Sequence, residues 1–596
     1  MELDSKGHQS EIERLDAHIR DLTQQLLNAK IQRNALLRIS SLPDEILFKI
    51  MFEYALLMDI FSNKWMGILV VCRRWHEIAS SHAQLWSFVK HSRYRRGPDI
   101  WDRIDKSKDH PLTAVFDPVD ELHASAPYYM LQGHKHRVRS LTLVSGKTAA
   151  MERAFQETDS LPLLETLAIR NWSEDNYSLP AFIFDGGAPR LHNIELNGVD
   201  FSDWNKLSNI TQLTFTHLRR DHPLLTMDDL LSVLERSPRL RYLNIKTHFP
   251  GDTITAVSSS VALPCLEHVE LAGRSDSLDT FFQFVTLPAR TSLNIKVSNY
   301  DSEARWLSGL LVRIRRHLRK PGAPVLCSVS LSGDLMSYCT LVADTIAPAR
   351  SEFNDDQPHF ILIAYPWRQR FARRIFTQVL DALPLESATH VDLLTQCRRD
   401  FTPRTLCTVF QHIPRAEVVR VGVNDGMLAV VEGLMDAVRR GLRGRWGAKR
   451  RRATKGIQWP TRLHLVASRD GQSDGRNEAQ QIQWYDALQA LLTEYKAMDA
   501  PFKPAGVPWG MLEFTHVEHG YLTVDHYREK LFPLTGSLML YGRPWDPISE
   551  RKDLKRMKKS QRKWAKKYNF TLPPSDDDLS SDSESDSESD SPEKVG

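Results

Sequence analysis

Pro162-Leu-Leu-Glu-Thr-Leu-Ala-Ile169 and Pro189-Arg-Leu-His-Asn-Ile-Glu-Leu196 are two copies of one phrase, Pro-x-Leu-x-x-[Leu/Ile/Val]-x-[Leu/Ile], which returns at Pro238 and Pro264. Pro414-Arg-Ala-Glu-Val-Val-Arg-Val421 repeats it with Ala in the third place. The apolar residues that end the phrase stand two apart, a spacing that puts both on one face of a strand. Such pairs recur as Leu141/Leu143, Leu167/Ile169, Ile194/Leu196, Leu213/Phe215, Leu243/Ile245, Val269/Leu271 and Leu293/Ile295, in steps of 26, 27, 19, 30, 26 and 24 residues. Period-2 pairs at such steps mark stacked strand-plus-helix units, each burying its strand only against its neighbours.

The unit recurs from residue 112 to 541, with longer steps beyond residue 300. Strands are expected there at Val329–Leu331, Ile361–Ile363, Val391–Leu393, Val419–Val421, Leu463–Leu465, Leu512–Phe514 and Leu538–Leu540. Helices fit between them at Glu303–Leu318, Arg370–Leu383, Pro403–His412, Met427–Arg440 and Glu478–Met498. One continuous array is the expectation. Alternation alone leaves a separate α/β domain open at the C-terminal end.

Upstream, the pattern is helical. Ile12, Leu15, Ile19, Leu22, Leu26, Ala29 and Leu36 alternate in threes and fours, with Arg33 where the next core position falls, and no Gly or Pro interrupts from Gln9 to Ser41. That spacing keeps one stripe facing a partner helix. Three readings stand: self-pairing, a helix laid on its own body, or a solvated lead-in. At Ser41-Leu-Pro-Asp-Glu-Ile-Leu-Phe-Lys-Ile-Met51 a new helix starts, with Ser41 as a cap, Pro43 in the first turn and two acids at the positive end of the dipole. Ile46, Leu47, Ile50 and Met51 read as its apolar face. Ile68–Ala79 reads as a second helix, and Ala83-Gln-Leu-Trp86 closes the unit. About 50 residues are too few to bury that much Leu, Ile and Trp, so part of the surface should serve a partner.

Leu42-Pro43-x-Glu45-Ile46-Leu47, then Val71-Cys72-Arg73-Arg74-Trp75-x-x-Ile78, then Leu85-Trp86, resemble in order the elements of an F-box of the fungal F-box-like family. A heptad helix just before the box and Asp109-His-Pro-Leu-Thr113 just after it extend the resemblance over residues 10–116. One departure stands out: the chain from Leu42 to Cys72 exceeds the compact form by about six residues, within Phe52–Gly67. The resemblance implies that Leu42, Pro43, Ile46, Leu47, Ile50 and Trp75 face a Skp-type adaptor and, through it, a cullin. An amphipathic helix pair laid into a partner groove agrees with that physically. The downstream repeats resemble an irregular leucine-rich-repeat array, the part that commonly holds a target after an F-box. The Asn often found after each strand of that family is replaced by Val199 in one repeat, so a buried Asn ladder is not evident.

The chain has 596 residues, 41% hydrophobic and 26% charged, values that fit a soluble protein with a sizeable core. Its net charge of +4 hides a dipole. Residues 551–574 carry ten Lys/Arg and one Asp, whereas residues 575–596 carry nine acids and one Lys. The first 550 residues are left near neutral, at +3. Six cysteines without a CxxC suit free thiols in a reducing compartment. No apolar run approaches 18 residues, and the N-terminus lacks a signal pattern. An intracellular protein, cytoplasmic or nuclear and without a membrane span, is the expectation.

Motifs for chemistry are sparse. Gly471-Gln-Ser-Asp-Gly475 fits a nucleophile elbow by letters, but its polar neighbours fit a surface loop better. His76 and His82 are six apart and do not share a helix face, and His134 and His136 lie in a basic stretch that reads as solvated. No phosphate loop or dinucleotide fingerprint occurs. Neither a cofactor nor a metal is expected, and no enzyme activity. Arg439–Lys455 holds nine Lys/Arg in seventeen residues. Its core Lys449-Arg450-Arg451-Arg452 reads either as a nuclear-import signal or phosphate-binding patch, or as a solvated loop. Arg551–Lys567, with Trp564, Tyr568 and Phe570 nearby, has the basic-aromatic mix of single-stranded nucleic-acid binders. The Ser/Asp/Glu tail cannot bury a core and reads as disordered. Its Ser575, Ser581, Ser583, Ser585 and Ser587 each precede an acid by three residues, the pattern acidophilic kinases prefer.

The expected fold is thus α/β. A heptad helix (9–40) and an F-box-like helical module (41–90) precede a linker with the first strand (91–136). A leucine-rich-repeat-like solenoid (137–545), a basic segment (546–574) and a disordered acidic tail (575–596) follow. The leading functional expectation is a substrate receptor of a Skp–cullin–F-box ubiquitin ligase, its protein target unknown. The alternative is a nuclear or RNA-associated scaffold acting through the basic runs.

Overall fold

The repeated proline phrase builds a turn that delivers the chain into a strand. In a computed structural model, the Leu164, Leu191, Leu240 and Leu266 amides donate to the carbonyls three residues back, at Leu161, Ala188, Ser237 and Leu263, over 3.0–3.2 Å. Proline stands second in each four-residue turn, where its fixed φ suits the geometry. The leucine that closes the turn is fully buried at 164 and 240, and the next apolar pair enters the sheet.

The structure describes residues 2–92, 100–119, 125–173, 177–200, 204–217, 225–247, 260–298, 305–333, 339–345, 359–364 and 377–395, and from there residues 409, 412–413, 415–423, 462–467, 489–490, 493, 511–515, 538–540 and 543–544. The chain divides into two compact units, Met1–Ile346 with Asp356–Ser387, and Ala347–Asp355 with Ala388–Gly596.

The first unit opens with helices α1 (Glu2–Ala35), α2 (Asp44–Leu57), α3 (Arg73–Ser81) and α4 (Ala83–Trp86). The sheet then starts earlier than the sequence reading placed it, with β1 (Phe88–His91) inside the segment assigned to the helical module. Helix α5 (Ile100–Lys106), β2 (Leu112–Val119), α6 (Ser125–His134), β3 (Val138–Ser145), α7 (Thr148–Phe155) and β4 (Thr166–Asn171) follow. Next come β5 (Tyr177–Ser178), β6 (Asn193–Asn197), β7 (Val199–Asp200), β8 (Gln212–His217), α8 (Met227–Glu235), β9 (Tyr242–Thr247), β10 (Val261–Ala262) and β11 (His268–Gly273). Helix α9 (Ser275–Phe284), β12 (Val285–Thr286), β13 (Ser292–Val297), α10 (Arg305–Leu318), β14 (Ser328–Gly333), β15 (Cys339–Asp344) and β16 (Phe360–Ala364) come after these.

Strands β1, β2, β3, β4, β6, β8, β9, β11, β13 and β16 pair in that order, all parallel. The register stacks the sequence pairs into two rows. Leu141, Leu167, Ile194, Leu213, Leu243, Val269, Leu293 and Phe360 form one, and Leu143, Ile169, Leu196, Phe215, Ile245, Leu271, Ile295 and Leu362 the other. None of these sixteen residues is more than 2% exposed. Two short parallel ribbons, β5 with β7 and β10 with β12, link the returning segments of neighbouring repeats.

The order breaks once. The neighbour of β13 is β16, and β14 lies beyond it, joined through the antiparallel β15. A uniform succession of parallel units therefore does not hold past residue 297, because the β14–β15 hairpin enters the sheet from its far side. The inward rows nevertheless continue through Leu341 to Leu331 and through Ala343 to Val329.

In the second unit β17 (His390–Thr395), β18 (Val418–Val423), β19 (Arg462–Ala467), β20 (Met511–Thr515) and β21 (Leu538–Leu540) pair in parallel, with β22 (Arg543–Pro544) antiparallel at the end. All seven strands expected beyond residue 300 are present. Of the five helices expected there, Glu303–Leu318 is described from Arg305 to Leu318, and Arg370–Leu383 only from residue 377. The other three lie mostly outside the described residues.

Candidate docking surfaces

Helix α2 explains why the helical module has more apolar surface than its core needs. Leu47, Met51 and Ala55, four apart, are at most 1% exposed and belong to a core with Trp65, Ile68, Ile78, Leu85 and Trp86. Ile46, Ile50, Tyr54 and Leu57 form a second stripe, 46, 43, 37 and 82% exposed. A helix apolar on two adjoining faces calls for cover on both. The next element adds Val70 and Val71, 86 and 55% exposed.

The six residues implied by the F-box resemblance therefore part company. Pro43, Ile46 and Ile50 are exposed, Leu42 and Trp75 are half-buried against the module core, and Leu47 is core. Leu47 cannot face a partner in this arrangement, and the reading of Ile46, Leu47, Ile50 and Met51 as one face is corrected to two. Two further details differ. Ser41 does not cap α2, since its hydroxyl donates to the Arg38 carbonyl (2.8 Å) and Asp44 opens the helix. The helix expected over Ile68–Ala79 is two elements, a 3-10 turn Lys64–Val70 and α3, parted at the extended Cys72.

Arg74, which the sequence reading passed over as one letter of a motif, holds the start of α2. Its guanidinium donates to the carbonyls of Ser40 (2.5 Å) and Leu42 (2.7 Å) and to the Asp44 carboxylate (3.0 Å from Nε). The Leu42-Pro43 turn is thereby tied to α3. The extra residues between α2 and α3 fold into a turn with Asp59 at φ 64°, sealed by Trp65 donating from Nε1 to the Ile60 carbonyl (3.0 Å). Arg103 on α5 reaches into that turn. It is 1% exposed, lies over the Trp65 ring, and donates to the carbonyls of Ile60, Ser62 and Phe88 over 2.8–3.0 Å. Burial pushes its pKa down to about 10, with Asp59 and Asp102 opposing, so it stays charged at neutral pH. Arg103 thus fastens the helical module to the first strand. No letter pattern announces this, since the contact spans 41 residues.

The second surface is the other side of the parallel sheet, where most residues between the inward rows stand half-buried and Ala168 and Asn244 are buried. Arg170 grips Glu195 with two bonds (2.6 and 3.0 Å). Glu270 accepts from Lys296 (2.9 Å) and pairs with Lys246 (3.0 Å). Burial works against the Glu270 charge, but the two ammoniums hold its pKa below the usual carboxylate range. Tyr242 and His268 sit side by side, ring centroids 6.3 Å apart. This face carries ion pairs and aromatic rings in neighbouring repeats. The buried Asn171 donates to the Gly198 carbonyl (3.1 Å) and accepts from the Ser173 amide (3.0 Å).

His82 stacks on Phe48 with centroids 4.0 Å apart, and its Nδ1 lies 2.6 Å from the Ile78 carbonyl, whereas His76 is exposed. His134 is half-buried at the end of α6, its pKa lowered by burial and by Arg137. Among the described residues no group of His, Cys, Asp or Glu is arranged to hold a metal, and no helix is long and apolar enough to cross a membrane. Cys72, Cys265 and Cys327 are free thiols. Lys449–Arg452, the Gly471–Gly475 loop, the basic segment and the serines from Ser575 to Ser587 lie outside the described residues.

No family model matches the chain, and no curated protein matches it either. Among solved structures there is a match to the leucine-rich repeat-containing protein LegL7 from Legionella pneumophila. It has 10% identity and a TM-score of 0.23, covering 58% of this chain and 90% of that one. A likeness that distant adds nothing to the mixed α/β fold and long parallel sheet already described.

Proposed function

We propose that the chain is a substrate receptor of a Skp–cullin–F-box ubiquitin ligase, its helical module docking a Skp-type adaptor and its leucine-rich-repeat-like sheet holding a protein target. The observation that carries this reading is the outward stripe Ile46, Ile50, Tyr54 and Leu57 on α2, an apolar face left over after the module has filled its own core. Laying that stripe into a groove would gain roughly 25 cal/mol per Å² of apolar surface covered. The order of elements around it, Leu42-Pro43, Cys72-Arg73-Arg74-Trp75 and Leu85-Trp86, supports the same partner by resemblance.

In this reading the protein contributes no covalent chemistry. It raises the local concentration of target lysines beside a ubiquitin-charged enzyme. Arg103 contributes by making the docking module and the start of the target-holding sheet one body, so that a bound target keeps a fixed distance from the adaptor.

Co-expression with a Skp-type adaptor tests the proposal. Wild type should co-purify, and Ile46→Asp/Ile50→Asp should lose the adaptor while remaining folded. Capture unaffected by the pair would place the contact elsewhere. No capture by a folded wild type would overturn the reading and turn attention to salt-dependent nucleic-acid binding through residues 439–455 and 551–567.

A further inference from the structure

Helix α1 is an apolar stripe with nothing on it. Ile12, Leu15, Ile19, Leu22 and Leu26 are 50–59% exposed, and residues 10–33 are exposed on every side, so the helix does not lie on its own body. Thirty-four residues make a rod about 50 Å long. A lone helix in water is held weakly, and a cover for the stripe is what would secure it.

The charges point to the cover. Residues 10–21 hold Glu11, Glu13, Asp16 and Asp21 against Arg14 and Arg20, a net negative half. Residues 22–35 hold Lys30 and Arg33 and no acid, a net positive half. In a parallel, in-register pair Arg33 would face its own copy across the seam, and Glu11 would lie beside Asp16 of the other helix. Both contacts set like charges together.

We propose that α1 pairs with α1 of a second copy of this chain in antiparallel orientation. One register seats every apolar core residue from Ile12 to Ala29: Ile12 against Ala29, Leu15 against Leu26, and Ile19 against Leu22. The two-fold axis of such a pair repeats each contact. The same overlay sets the acidic half of each copy against the basic half of the other, and Arg33 no longer meets itself. The inference stands independently of the adaptor reading, since it uses only residues of α1.

Light scattering and sedimentation of the full chain test it. The expected mass is twice the 68.4 kDa of one chain, falling to 68.4 kDa for Ile19→Asp/Leu22→Asp. Lys30→Glu/Arg33→Glu should raise the dimer dissociation constant by about tenfold or more, through acid facing acid. Adding Glu11→Lys/Asp16→Lys to the same chain should restore it, because complementarity returns with both halves reversed. A monomer at every concentration would overturn the proposal. So would a dimer that survives Ile19→Asp/Leu22→Asp, or one whose affinity ignores the half reversal, as a parallel pair would.

Discussion

The helical module and the parallel sheet use apolar residues in opposite ways. In the sheet each repeat contributes two inward residues, all sixteen of them at most 2% exposed, and most positions between are polar, with Ala168 and Ile361 the apolar exceptions. In the module, α2 fills the core with Leu47, Met51 and Ala55 and still presents Ile46, Ile50, Tyr54 and Leu57 to solvent. The sheet turns its apolar pairs inward, and the module turns apolar residues both inward and outward. Apolar surface left over after a core is full marks a partner more reliably than apolar composition does.

The contrast can be broken most forcefully in the sheet. Phe215 is fully buried and meets Trp204 edge to face at 4.9 Å, so Phe215→Ala should cost about 4 kcal/mol in denaturant unfolding. Next is acid. Burial, with Lys320 adding to it, pushes the His317 pKa down to about 4 from 6.5. Between those values the unfolded chain binds a proton that the folded chain refuses, so stability is full above about pH 6.5 and falls as the pH drops. The loss by pH 4 is on the order of 3 kcal/mol, and His317→Gln should flatten that slope in a pH series of denaturation midpoints.

A smaller effect belongs to Gly198, at φ 64° with the Asn171 carbonyl oxygen 2.2 Å from where a Cβ would stand. Gly198→Ala should cost about 2 kcal/mol, from the left-handed backbone and the displaced contact. The smallest effect sharpens the comparison: Ile46→Ser/Ile50→Ser should shift stability by no more than about 0.5 kcal/mol, whereas Leu47→Ala, one residue away, should cost about 3 kcal/mol. Equal costs would mean that the two stripes are not different in kind.

Much of the sheet was legible because its information is local. The proline turn, the period-2 pair and the step between them lie within one repeat, and the ladder only stacks what each repeat already encodes. The order of β14 to β16 was not legible, since an antiparallel partner such as Cys339–Asp344 carries the same alternation as a parallel one. The module was legible as a module and not as a surface. Ile46 and Leu47 are adjacent apolar residues, and only the positions of α3 and Trp65 decide which turns inward. Arg74 and Arg103 were missed because their work is to bind carbonyls, and carbonyls belong to every residue.

The most direct measurement is a calorimetric titration of the purified chain with a purified Skp-type adaptor, beside the Ile46→Asp/Ile50→Asp variant. Binding by the wild type is expected, with a loss of about a hundredfold or more in the variant and both equally folded. Binding by the variant at wild-type strength, or no binding by a folded wild type, would contradict that expectation.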